Sequence, residues 1–129
     1  MSDVGSGGRE YGALLLPEGP WWEWSVLSFD GSRLRLGAGY DLSYHHSLEV
    51  VFTDASYLRC PTMFMDPVFR APTDEERTEV IRLVGEEPAV LVAFEADAHG
   101  TEPASCLIAA DRIDVVQGHF PHAGVADVG

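Results

Sequence analysis

Apolar and polar positions alternate with a period of two through much of the chain, and this predicts strands. Trp22 to Phe29 is rich in aromatic and β-branched residues, and Arg33-Leu34-Arg35-Leu36 alternates strictly. Asp30-Gly31 between these runs predicts a hairpin, because the tight turn needs a positive φ. Leu34 and Leu36 are expected to face inward, Arg33 and Arg35 outward. After the bend expected at Gly37-Ala38-Gly39, Tyr44 to Thr53 reads as the next strand. There His46, Leu48, Val50 and Phe52 share one face, and His45, Ser47, Glu49 and Val51 share the other. Ser56 to Met65 follows, and Pro61 confines that run to an edge or interrupts it. Met63 to Phe69 is apolar but irregular and predicts a loop packed on the sheet.

One segment changes period. Thr73 and Glu76 have capping-box spacing, Asp74 and Glu75 suit the positive end of a helix, and Val80, Ile81 and Val84 form an apolar stripe. Gly85 caps the far end and Pro88 prevents continuation. Strands resume at Ala89 to Phe94, apolar enough to be buried on both faces, then at Ser105 to Ala110 and Ile113 to Val116. No strand–helix alternation points to a parallel doubly wound sheet. The pattern predicts an α+β fold: a mainly antiparallel sheet of six to seven strands, curled or folded into a half-barrel, with one central helix at about residues 73–85. Residues 1–10 read as a flexible glycine-rich tail, 11–117 as a single domain, and 118–129 as a C-terminal tail without periodicity.

The length of 129 residues fits one domain, and the 46% apolar content allows a core without staples. No apolar run approaches the roughly 18 residues of a membrane span. Leu14-Leu15-Leu16 is too short for a signal-peptide core, so the expected compartment is the cytoplasm. There Cys60 and Cys106 are expected to be buried, inert thiols rather than a disulfide or redox pair.

Charge narrows the function classes further. The chain carries 8 basic residues, all Arg, against 21 acids, a net charge of −13. A Lys nucleophile and a P-loop lysine are excluded. A polyanion repels phosphates, so nucleic acid is not an expected partner. The acids concentrate between Asp74 and Glu102, nine of them against Arg77 and Arg82. Glu75, Glu79, Glu86 and Glu87 are either a solvated face that keeps the chain soluble or a surface that steers a basic partner.

Catalytic and metal signatures are sparse. Gly-x-Ser-x-Gly is absent, the glycine-rich stretches lack the strand–turn–helix setting of a dinucleotide site, and no cofactor is implied. His45 and His46 point to opposite faces of a strand, while His99 and His119-x-x-His122 fall in loop or unpatterned sequence, so no metal site is assigned. His46 shares a face with apolar residues; it is either a hydrogen-bonded core residue or a general base. Glu49, on the other face, is a poor partner for it. Trp21, Trp22 and Trp24 are either core rings beneath the helix or an aromatic docking surface.

The runs Leu27 to Leu36, Leu48 to Tyr57 and Cys106 to Val115 resemble small β-rich immunity proteins of bacterial polymorphic toxin systems. The resemblance implies a cytoplasmic protein that binds and neutralises a cognate toxin, and it carries over no site residues. Together with the charge, it leads to an expected function: an acidic, non-enzymatic binding module for a basic protein partner. The alternative is a small pocket enzyme or ligand carrier of isomerase or cyclase type. In that reading His46 is the base and Tyr44, Tyr57 and Trp24 line a small-molecule pocket.

Overall fold

The computed structural model of the chain describes residues 9–11, 14–17, 19, 21–39, 42 and 45–121. Ten strands and one helix follow in order: β1 (Arg9–Tyr11), β2 (Leu14–Leu16), β3 (Glu23–Phe29), β4 (Arg33–Gly39), β5 (His45–Thr53), β6 (Tyr57–Arg59), β7 (Met63–Arg70), α1 (Asp74–Val84), β8 (Val90–Asp97), β9 (Ala104–Ala110) and β10 (Arg112–Pro121). β1 and β2 form a separate two-stranded ribbon; the rest make one eight-stranded antiparallel sheet in the order β10-β5-β4-β3-β7-β8-β9-β6. The α+β, sheet-dominated reading holds, with eight strands in the main sheet where six to seven were expected.

The β3–β4 hairpin forms where Asp30-Gly31 predicts one. Its backbone closes from Asp30 N–H to the Arg33 carbonyl, so the tight turn is centred on Gly31-Ser32, one residue later than expected. Gly31 takes φ 97°, and the Asp30 carboxylate accepts the amides of Ser32 and Arg33 at 3.1 and 2.9 Å. Leu34 and Leu36 are buried, as their alternation requires.

Two expectations fail at irregular places. Met63 to Phe69 is strand β7 rather than a loop. Its pairing with β8 shifts register between Met65 and Val68, and Asp66 takes φ 50°. A bulge accommodates Pro67, which has no N–H for the ladder, and it breaks the alternation that would have revealed the strand. β10 likewise runs four residues past Gln117 into the segment read as tail, through a register shift between Gln117 and Phe120. Of the two expected tails, residues 1–8 and 122–129 lie outside the described residues, as does Tyr44. Pro61 does separate β6 from β7, and β6 is an edge strand.

Helix α1 follows its sequence signals closely. Thr73 is the N-cap, its side chain accepts the Glu76 amide, and the Glu76 carboxylate accepts the Thr73 amide at 2.9 Å. Gly85 closes the helix at φ 97° with its amide on the Ile81 carbonyl. A β-carbon there would be strained, which is why glycine ends the helix.

β8 and β9 are buried on both faces, as the apolar runs suggested. On one face Val90, Val92, Phe94 and Ala96 join Cys106, Ile108 and Ala110 in a core that also takes Leu34, Leu36, Leu48, Val50, Phe52, Trp24 and Phe64. On the other, Leu91, Ala93, Leu107 and Ala109 pack under Val80 and Val84 of the helix, with Tyr57 beside them. Asp111 alone links β9, next to one edge of the sheet, to β10 at the other. Each Cα-to-Cα step spans about 3.8 Å, so the last residue of β9 and the first of β10 are near neighbours.

Candidate functional site

The most densely charged buried feature lies on β4 and β5. Glu49 sits in an otherwise apolar stretch of β5 and is 8% exposed. A lone acid in such a strand requires a cation or donors. Arg35 supplies a fork, with Nε 3.3 Å from Oε1 and Nη2 2.8 Å from Oε2. The register makes this possible. Gly37, directly opposite Glu49, has no side chain, and Arg35, two residues along on the same face, leans across the diagonal. His46 Nε2 completes the group at 2.8 Å from Glu49 Oε2. Burial pushes the Glu49 carboxyl upward, but the hydrogen bonds from Arg35 and His46 together carry it below its ordinary value.

The pairing of His46 with Glu49 overturns the argument from strand parity, which put them on opposite faces. The β5–β10 register slips by one residue opposite His46 to Leu48. The extra residue lies on β10, between Gln117 and Phe120, and it brings Phe120 opposite His46. The His46 ring is 5% exposed and stacked at 4.8 Å on Phe120, which falls in the segment that the pattern predicts as a tail.

The residues that a His46-centred pocket would draw on do not all share one face of the sheet. Trp24 is a core ring. Tyr57 packs with the helix cluster on the sheet's other face. Tyr44 lies outside the described residues. His45 and His119 approach each other at 4.6 Å between ring centroids, and His122 lies outside the described residues. Among the described residues no group of three or more His, Cys, Asp or Glu is placed to hold a metal ion. No helix among them is long and apolar enough to cross a membrane.

The three tryptophans separate. Trp24, 1% exposed, stacks on Phe64 at 5.9 Å and meets Phe69 edge-on at 5.7 Å. Its Nε1 donates to the Trp21 carbonyl, and Trp21 Nε1 donates to the Pro17 carbonyl, so both indoles are satisfied internally. Trp24 therefore belongs to the sheet's inner core, neither under the helix nor on a docking surface. Trp22 precedes β3, is 55% exposed, and does not share the face of Trp24.

The acidic residues form the outer surface. Helix α1 turns Val80 to the sheet and leaves Glu75 exposed and Glu79 half-buried along a shallow groove with Asp74, Thr78 and Arg82. Glu86 and Glu87 are exposed just beyond the helix, and Glu87 pairs with Arg77 at 3.3 Å. Among the described residues Glu75, Glu79 and Glu86 have no ion-pair partner. A second acidic feature was not foreseen: an open cavity of about 400 Å³ lined by Asp66, Glu95, Asp97 and Glu102, with Val68 and Pro103 as apolar wall. It is assembled by the β7 bulge and the β8–β9 loop, so no contiguous motif announces it. Arg70 connects the two features, gripping Glu76 at the helix start and Glu95 on the cavity wall.

No protein-family model, curated protein or solved structure matches the chain.

Proposed function

We propose that this chain is an acidic, non-enzymatic binding module that docks a basic protein partner in the cytoplasm, as an immunity-type inhibitor does. The observation that carries the reading is a run of carboxylates along and just beyond α1: Glu75 and Glu79 on the helix and Glu86 after it, without ion-pair partners among the described residues, continue into Glu87. Such a face raises the encounter rate with a positive partner and fixes its orientation. The carboxylate-lined cavity offers a seat for an arginine or lysine side chain, with Val68 as an apolar contact, and the exposed Trp22 ring offers a further apolar contact on the surface.

We read the sheet as a half-barrel whose interior is filled by Trp24, Phe52, Phe64 and Phe94, leaving the exterior for recognition. Inhibition by such a module needs no chemistry; covering the partner's basic groups is enough.

The test is affinity purification on the immobilised chain at low salt, repeated with Glu75, Glu79, Glu86 and Glu87 all changed to Gln. A basic protein retained by the native chain, released as salt rises and not retained by the variant supports the reading. Retention that ignores salt, or that the variant preserves, overturns it.

A further inference from the structure

We propose that Cys60 and Cys106 form an oxidisable dithiol, a modification site that closes to an intramolecular disulfide by exchange with a small disulfide such as oxidised glutathione. The positions come from the strand ladder. β6 pairs with β9 so that Leu58 faces Ile108 and Arg59 faces Leu107, the last pair of the ladder; continuing that register by one residue sets Cys60 against Cys106. Arg59 Nε holds this end of the ladder by donating to the Ser105 carbonyl at 3.2 Å. Residues directly opposite in an antiparallel pair share a face, with β-carbons about 4.5–5.5 Å apart. A disulfide needs β-carbons about 3.5–4.5 Å apart and tolerates α-carbons between about 4.4 and 6.8 Å, so a small local tightening suffices.

Burial and bonding agree with this placement. Both cysteines are free; Cys106 is buried in the inner core and Cys60 is half-buried against the same core. The Cys60 thiol donates to the Pro61 carbonyl at 3.1 Å and the Cys106 thiol to the Ala104 carbonyl at 3.6 Å, and the proximity of the two sulfurs pushes the Cys60 thiol up and the Cys106 thiol down. The pair thus shares one proton readily and resists losing the second.

The exchange proceeds in two balanced steps. Once the pair has lost one proton, the one that remains passes to the buried Cys106 sulfur, and the sulfur of Cys60, the more accessible of the two, attacks one sulfur of glutathione disulfide as its thiolate. A mixed disulfide forms and the first glutathione thiolate leaves. Cys106, as thiolate, then attacks the Cys60 sulfur. The protein disulfide forms and the second glutathione thiolate leaves. The two protein thiol protons end on the two glutathiones. The protein is oxidised by two electrons and glutathione disulfide is reduced by two. The product fastens edge strand β6, only three residues long, to β9.

The reduced full chain is incubated with graded ratios of glutathione disulfide to glutathione, quenched with a thiol-alkylating reagent and weighed intact. The expected product has lost two hydrogens, takes up no alkylating reagent and remains monomeric. Its thermal midpoint lies several degrees above that of the reduced chain, and dithiothreitol reverses the shift. Cys106→Ala should instead stop at one bound glutathione on Cys60. The proposal is overturned if the native chain stops at that mixed disulfide, if it links to a second copy, or if it stays reduced at ratios that oxidise the urea-unfolded chain.

Discussion

His46 Nε2 lies 2.8 Å from Glu49 Oε2, although the two residues stand three apart on one strand. The contact ties the stacked His46–Phe120 pair at the end of β5 to Arg35 on β4, through a carboxylate with little access to water. Replacing Glu49 with Leu leaves a half-exposed guanidinium and a buried imidazole without their shared partner. The expected loss is about 2–4 kcal/mol, read from urea unfolding. Arg35→Met should cost at least as much, because it leaves the buried Glu49 carboxylate without its cation, whereas water reaches part of the guanidinium left by Glu49→Leu. Folding depresses the Glu49 carboxyl below its ordinary 4.5. Its contribution is therefore present above pH 4.5 and lost as pH falls below that value. A loss below about 0.5 kcal/mol for Glu49→Leu would show that the cluster is incidental.

Arg70 is the tie between sheet and helix. Nη1 and Nη2 reach the two oxygens of Glu76 at 2.8 and 2.7 Å, and Nη2 also reaches Glu95 at 2.9 Å. The hydrogen bonds from Arg70 and the Thr73 amide outweigh burial and hold the Glu76 carboxyl at about 2, well below 4.5. A carboxyl depressed by folding stabilises the native state fully above pH 4.5 and stops doing so as pH falls through about 2. Glu76→Gln should therefore remove about 2–3 kcal/mol at neutral pH and flatten the stability curve between those two values. Arg70→Met should flatten it in part, since the Thr73 amide remains. Equal acid sensitivity in the native chain and Glu76→Gln would assign the acid transition to other groups.

What could be read in the sequence was what is local. The capping box at Thr73 and Glu76, Gly85 at the helix end and the alternation around Leu34 and Leu36 each depend on a few neighbouring residues, and all took the expected form. The misreadings fall where the ladder is irregular. Pro67 hides β7, the slip after Gln117 hides the end of β10, and the His46–Glu49 contact runs against their parity. Arg70 was invisible for another reason: its partners Glu76 and Glu95 come from α1 and β8, and only the tertiary fold sets them around one guanidinium. The Cys60–Cys106 juxtaposition needed the β6–β9 register, which no spacing in the chain encodes.

The two neighbouring tryptophans should respond oppositely to truncation. Trp24→Ala empties a site bounded by Phe64 and Phe69, and the expected loss is about 3–5 kcal/mol. Trp22→Ala, at 55% exposure, should stay within about 0.5 kcal/mol of the native chain. Chemical denaturation of both variants checks this. If Trp22→Ala proves the more damaging, the assignment of core and surface rings is wrong.

Neutralising the helix face separates stability from recognition. In the variant with Glu75, Glu79, Glu86 and Glu87 changed to Gln, Glu76 is left in place to keep its cap and its bond to Arg70. Glu75 and Glu79 are one helical turn apart and repel by a few tenths of a kcal/mol. The pair lost with Glu87 is exposed and bonded to Arg77 at 3.3 Å, so its removal costs about 0–1 kcal/mol. These effects nearly cancel, and the melting temperature at low salt should stay within a few degrees of the native value or rise. Added salt screens the repulsion in the native chain and should narrow any gap. Thermal melts at low and high salt read the result. A drop of many degrees would mean that these carboxylates hold the fold together, and an acidic face retained for structure would no longer argue for a basic partner.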